Sequence, residues 1–211
     1  MRNGMSESDR KQRRRRRRIQ IIIIYVAIAI GLAWFFESQA TTTIIFVRHA
    51  EKEQMPPDDP DLSATGRRRV AELTRQLVDA DVVAGVDAIY STPYKRTLQT
   101  AQPLADALDL PIRRYDPGDN EAVLETILAN HKGKIILVVG HSDTIPSLIA
   151  DLGASKNVPP IAEMEYDNIY IISIPWFGKT KTIRLRFGEP YSGAPAEDDA
   201  PVMVPAVESD N

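Results

Sequence analysis

The sequence predicts an α/β three-layer sandwich, with a mostly parallel central sheet carrying helices on both faces, preceded by one transmembrane helix. Three observations carry this expectation. From residue 43 to residue 187, β-rich apolar runs alternate with helix-patterned segments, as in folds built from strand-helix-strand units. One run, Lys134 to Val139, is apolar without alternation, as a strand covered on both faces should be. Near the N-terminus, Ile19 to Phe36 holds one amide, Gln20, and no charge in 18 residues.

Residues 1 to 18 contain nine basic side chains and two acidic ones, and Arg13 to Arg18 is an unbroken arginine block. A net charge of −3 overall against +7 in this segment leaves the remainder at −10. The basicity is therefore local, placed against an apolar run rather than spread over a folded face, which argues against nucleic acid as a partner. A helix over residues 19 to 36 spans roughly 27 Å, near the hydrocarbon thickness, and Trp34, Phe35 and Phe36 supply an interfacial edge. Because arginine stays on the cytoplasmic side, this anchor should leave residues 1–18 inside and deliver the rest to the periplasmic or extracytoplasmic face. The rival expectation is a signal peptide cut after Ala40, following Ser38-Gln39-Ala40, which would give a secreted protein. Six residues, Glu37 to Thr42, then reach at most some 20 Å, so the domain should lie close to the bilayer.

Strands are expected at Thr43 to Arg48, Val86 to Ser91, Ile112 to Tyr115, Lys134 to Val139, Asn168 to Ile174 and Thr180 to Phe187. Between them lie helices. Ser63 should cap a helix from Ala64 to Ala80 whose stripe is Val70, Leu73, Leu77 and Val78; Lys95 to Leu108, Asn120 to His131 and Thr144 to Leu152 follow. Residues 43–190 form the expected domain. Residues 191–211, with five acidic groups, three prolines and no base, should be a solvated disordered tail. The chain has no cysteine, which removes disulfides, thiolate metal sites and cysteine nucleophiles.

Reactive groups in such sheets collect where strands end. The first strand ends in Arg48-His49-Ala50-Glu51-Lys52 and the fourth in Gly140-His141-Ser142-Asp143, while Ser91-Thr-Pro-Tyr-Lys-Arg96 opens a helix. Phosphoryl transfer needs this set: a neutral imidazole to attack phosphorus, and cations already in place around the three non-bridging oxygens. Arg48 and Arg96 can bind phosphate bidentately, charged His141 adds a donor, and Lys52 adds a point charge. Arg67 to Arg69, Arg113 and Arg114 read as solvated charges, and His131 as a cation at a helix C-terminus. No pair of histidines has metal-ligand spacing with a carboxylate, so neither a metal nor a cofactor is expected.

Arg48-His49-Ala50-Glu51, Ser91-Thr-Pro with Arg96 and Gln99-Thr-Ala101, Val139-Gly-His141-Ser, and Leu62-Ser63 with Gly66 resemble the signatures of the histidine phosphatase, or phosphoglycerate mutase-like, superfamily. The resemblance covers roughly residues 43 to 187. It implies that His49 is the phosphate-accepting nucleophile and that Arg48, Arg96 and His141 form the phosphate pocket. Ala50 departs from the family, where glycine is commoner. The proton donor is open between Asp143 and Glu51, which are tied to signature strand ends, and Asp116, Asp119 and Glu121 in the segment where mutase-like members carry theirs. The expected activity is metal-independent hydrolysis of phosphomonoesters. A phosphomutase and a catalytically weak phosphate-binding module are the alternatives, and an envelope glycolipid, a small molecule or a phosphoprotein are candidate substrates.

Overall fold

A computed structural model of the protein describes residues 7–38, 41–79 and 85–193. The elements run α1 (Glu7–Ser38), β1 (Thr42–Arg48), α2 (Ala64–Asp79), β2 (Ala88–Ser91), α3 (Lys95–Leu108), β3 (Ile112–Arg114), α4 (Asn120–Asn130), β4 (Ile135–Gly140), α5 (Thr144–Asp151), β5 (Asn168–Ile174) and β6 (Lys181–Arg186). The expected order holds, with the ends of the strands and of α2 to α5 shifted by at most two residues, but α1 begins at Glu7, twelve residues before the expected Ile19, so the arginine block is part of the helix. Ala80, residues 1–6, the cut site at Gln39-Ala40 and most of the acidic tail lie outside the described residues.

The sheet is mixed. Its order is β3-β2-β4-β1-β5-β6, with β3, β2, β4 and β1 mutually parallel and β5 antiparallel to both of its neighbours. Every β1 residue from Ile44 to Arg48 is buried, because β1 is paired on both edges and covered on both faces. Ile44 and Phe46 face one way, toward Val123, Leu124 and Ile127 of α4 and Ile145, Leu148 and Ile149 of α5. Ile45 and Val47 face the other, toward Leu73 and Leu77 of α2 and Ala101, Leu104 and Ala105 of α3. Helices thus cover both faces. Val78 departs from the expected stripe and is 44% exposed, since the face of α2 that meets the sheet is carried by Gly66, Val70, Leu73 and Leu77.

The start of α2 shows why its residues are these. Ser63 caps the helix, its Oγ accepting from the Gly66 amide at 3.0 Å, and its own amide donates to the Glu51 carbonyl at 2.9 Å. Gly66 lies against the same strand exit so closely that a Cβ there would sit 2.1 Å from the Glu51 carbonyl oxygen. Any side chain would push α2 off the loop that follows His49. The long helix α1 is exposed along its described side chains, and Lys11–Phe35 is long and apolar enough to cross a membrane.

Candidate active site

The parallel register brings the two signature histidines together. Arg48 is paired with Gly140 across β1 and β4, and the His49 amide donates to the Gly140 carbonyl at 3.0 Å, so His49 and His141 each leave the sheet one residue past a registered pair. Their ring centroids are 5.5 Å apart. On the other side of β4, Ser91 is paired with Val139, which delivers Thr92, Tyr94 and Arg96 to the same edge. A cavity of about 580 Å³ forms there, lined by His49, Lys52, Arg96, His141 and Asp143 together with Pro57, Asp58, Tyr94, Pro117, Gly118, Ser142 and Thr144.

His49 is held in one tautomer. Its Nδ1 lies 2.8 Å from the Ala50 carbonyl oxygen, which can only accept, so Nδ1 carries the proton and Nε2 keeps its lone pair. The Ala50 amide in turn donates to Thr100 Oγ1 at 3.0 Å, which fixes the peptide that aims the ring. Burial above all, then the charge of Arg48 and the neighbouring His141 and Arg96, push the His49 imidazole down to about 3, although the Ala50 carbonyl works the other way. A ring in this state is a neutral base.

His141 is pushed down to about 4, first by burial and then by Arg96, with Asp143 opposing. The expectation of a charged imidazole is therefore corrected: burial and the two arginines favour the uncharged ring at neutral pH. Thr92 Oγ1 sits 3.0 Å from His141 Nε2 and 2.8 Å from Thr97 Oγ1. Where Thr97 donates onward to the Thr92 or Tyr94 carbonyl, Thr92 donates to Thr97 and its oxygen accepts from His141 Nε2–H.

The two arginines are held differently. Arg48, 7% exposed, donates from Nη1 to the carbonyls of Ala162 and Glu165 at 2.8 and 3.2 Å and lies 4.2 Å from the centroid of the Tyr166 ring. Its buried Nε has no partner. Arg96 lies 4.5 Å from the Tyr94 ring centroid and 3.9 Å from Asp59 Oδ1, and its buried Nε is likewise unpaired. Unpaired buried donors are costly unless something accepts from them. Arg96 lines the cavity, whereas Arg48, expected in the same pocket, is not among its lining residues and lies packed behind it against Tyr166 and the Ala162 and Glu165 carbonyls. Asp59 also accepts from the Lys95 amide at 2.9 Å, and Gln99 Oε1 accepts from the Leu62 amide at 2.8 Å. The Gln99-Thr100 pair of the second signature thus ties the loops on either side of the pocket to α3.

The acid candidates separate. Asp143 lines the cavity, one residue before α5. Glu51 turns away and pairs with Arg69 at 2.7 Å, and Arg69 also donates to the Phe187 and Glu189 carbonyls. Arg69 is therefore a packed tie between α2 and the end of β6, its side chain 10% exposed, and not the solvated charge expected. Asp116 accepts from the Gly118 amide and Asp119 from the Ala122 amide, so both carboxylates serve their own turn and helix cap. His131 caps the C-terminus of α4 as expected, its amide donating to the Ile127 carbonyl at 2.9 Å, and its Nε2 lies 3.0 Å from the Tyr90 hydroxyl; burial lowers its pKa. Sequence reasoning missed Thr92, Tyr94, Tyr166 and Asp58. Thr92 and Tyr94 lie inside a quoted signature and were within reach. Tyr166 and Asp58 come from loops that only the fold brings to the strand ends. Among the described residues no group of three or more histidine, aspartate or glutamate side chains is placed to hold a metal.

Residues 44–117 match the histidine phosphatase superfamily (branch 1). Phosphoserine phosphatase 1 of Hydrogenobacter thermophilus is 38% identical over 79 residues, which are 35% of this chain and 36% of that protein. The chain thus matches about a third of the length of this curated relative. The protein histidine phosphatase SixA, solved with tungstate, superposes with a TM-score of 0.56 at 18% identity, covering 68% of this chain and 96% of that one. A mycobacterial hydrolase, hydrolase 2, gives 0.55 at 13% identity, covering 72% and 94%. These two structures speak to the fold. The match to the histidine phosphatase superfamily (branch 1) covers residues 44–117, and the residues that resemble that superfamily's signatures stand at the ends of β1, β2 and β4.

Proposed function

We propose that the protein is a metal-independent phosphatase that hydrolyses phosphomonoesters through a phosphohistidine on His49. The observation that carries this reading is the tautomer: with Nδ1–H given to the Ala50 carbonyl and its pKa held near 3, His49 presents an uncharged Nε2 lone pair to the pocket at neutral pH. Nε2 attacks phosphorus and the P–O bond to the leaving group breaks. The Arg48 and Arg96 guanidiniums, Lys52 and a protonated His141 hold the non-bridging oxygens as charge builds on them. Water then attacks the phosphohistidine, the P–N bond breaks, and the imidazole returns to its starting state.

An alkoxide leaves poorly unless protonated; that Asp143 lines the cavity while Glu51 is engaged by Arg69 supports Asp143 as the acid. The same observation favours a second reading of the substrate. Asp143 and Asp58, the carboxylates that line the cavity, are both exposed, which suits a leaving group needing little help, such as the nitrogen of a phosphohistidine. That is the class of substrate named for the structurally similar SixA. The exposed helix α1 supports membrane attachment, with the arginine block inside and the domain on the extracytoplasmic face; removal as a signal peptide after Ala40 is the rival.

The test is phosphoenzyme trapping. The full chain, given a radiolabelled phosphomonoester and quenched in alkali, should retain acid-labile label, and His49→Ala should retain none and lose turnover while its circular dichroism is unchanged. Equal turnover in His49→Ala would overturn the mechanism. Label that is transferred to a second substrate position, with no phosphate released, would point to a mutase.

A further inference from the structure

The end of the sheet opposite the candidate site carries a feature that phosphatase chemistry does not use. The β5–β6 turn, Pro175-Trp176-Phe177-Gly178-Lys179-Thr180, projects two aromatic rings into solvent, with Trp176 52% and Phe177 84% exposed. Lys179 and Lys181 beside them are exposed, and the segment from Pro175 to Lys181 holds no acid. Isolated exposed apolar residues are ordinary, but an aromatic pair at the tip of a hairpin, flanked by lysines, has the composition of a group that sits at a lipid–water boundary.

Its position matches that composition. Thr42, the first residue of β1, is paired with Ile174, the last residue of β5, so the turn begins beside the point where the chain enters the domain. Helix α1 ends at Ser38, and the four steps from there to Thr42 reach at most about 14 Å. Phe35, in the last turn of α1, meets Trp176 edge-on with ring centroids 6.3 Å apart. The exit of the apolar helix and the tip of the hairpin therefore lie together, on the pole from which β1, β2 and β4 begin.

We infer that the Trp176–Phe177 turn is a second membrane contact, seated in the interface of the bilayer that holds α1, and that it fixes the domain with its pocket facing away from that bilayer. This rests on the reading of α1 as a membrane span. The six steps of β1 rise about 20 Å between the two poles. A phosphate at the headgroup level of the same membrane cannot reach His49 across that distance without the domain tipping over. The substrate then comes from the aqueous side, as a soluble compound or a phosphoprotein, and the phosphorylated lipid or glycolipid suggested by proximity alone is disfavoured.

The chain has two tryptophans, which makes the test direct. Full-length protein in phosphatidylcholine–phosphatidylglycerol vesicles is compared in three single-tryptophan forms: Trp34→Phe, leaving Trp176; Trp176→Phe, leaving Trp34; and both replaced together with Met55→Trp, which reports from the exposed loop beside the pocket. Each is quenched separately with brominated lipid and with aqueous acrylamide. Trp176 and Trp34 should both lose most of their emission to brominated lipid and be shielded from acrylamide, while the Met55→Trp reporter behaves oppositely. Lipid quenching of Trp34 with Trp176 remaining fully open to acrylamide overturns the hairpin contact and leaves the span intact. Lipid quenching of the Met55→Trp reporter overturns the orientation. If neither native tryptophan responds to brominated lipid, the membrane reading fails first and the inference with it.

Discussion

The two ends of the sheet invert the usual distribution of polarity. At the C-terminal ends of β1, β2 and β4, polar groups are buried: Arg48, His49, Thr92, Thr97 and His141 are all 9% exposed or less. At the N-terminal ends, apolar rings are exposed, with Trp176 and Phe177 outermost. A folded chain tolerates either inversion only where something outside it completes the arrangement. At one end the buried Nε of Arg96, which lines the cavity, has no acceptor within the protein. At the other the rings await an apolar phase. Polar desolvation and apolar exposure thus mark two kinds of ligand on one scaffold, separated by the length of a strand.

Removing a cation from the buried end should give the largest effect on turnover after loss of His49. Arg96→Ala is expected to lower kcat/KM by about 10² to 10³, roughly 3 to 4 kcal/mol, as for other preorganised donors to a developing oxyanion. A change below tenfold in steady-state kinetics would mean that Arg96 serves Tyr94 and Asp59 and not the substrate.

Next is Asp143→Asn. It should slow an alkyl phosphate by about 10²-fold while leaving nitrophenyl phosphate or a phosphoramidate nearly unchanged, because only the alkoxide needs the proton. Equal slowing of all three, measured side by side, would remove Asp143 as the acid.

The buried histidines predict a pH dependence of stability. Their folded pKa values, about 3 and about 4, lie below the ordinary 6.5, so below pH 6.5 the unfolded chain binds protons that the folded chain refuses. Stability contributed by burying them neutral is complete above pH 6.5 and is lost as pH falls toward 4 and then 3. Each histidine adds a slope of about 1.4 kcal/mol per pH unit within its window. Urea titrations at pH 7 and pH 5 should show this loss, and His141→Asn should reduce it. Identical stability at both values would place both rings in water.

The smallest effect belongs to the opposite end. Phe177→Ser should change turnover of a soluble substrate by no more than about twofold, since exposed substitutions seldom alter stability by more than about 0.5 kcal/mol. A large loss of turnover in detergent would mean that the two ends are coupled through the sheet.

By itself the sequence determined the order of strands and helices, the apolar helix, and the residues at the three signature strand ends. Those features are local: hydrophobic period, cap chemistry and short motifs act over a few residues, and Ser63, Gly66 and Asn168 to Ile174 fall where the pattern places them. Tertiary structure alone decided which carboxylate faces the cavity. Asp143 and Glu51 follow equivalent strand ends, yet Arg69, eighteen residues after Glu51, removes one from the pocket. It also set the protonation of His49 and His141, because burial and neighbouring guanidiniums are sums over the whole fold. The same holds for Trp176. Its sequence reads as a hairpin tip, and only the pairing of Thr42 with Ile174 puts that tip beside the exit of the apolar helix and a strand's length away from the pocket.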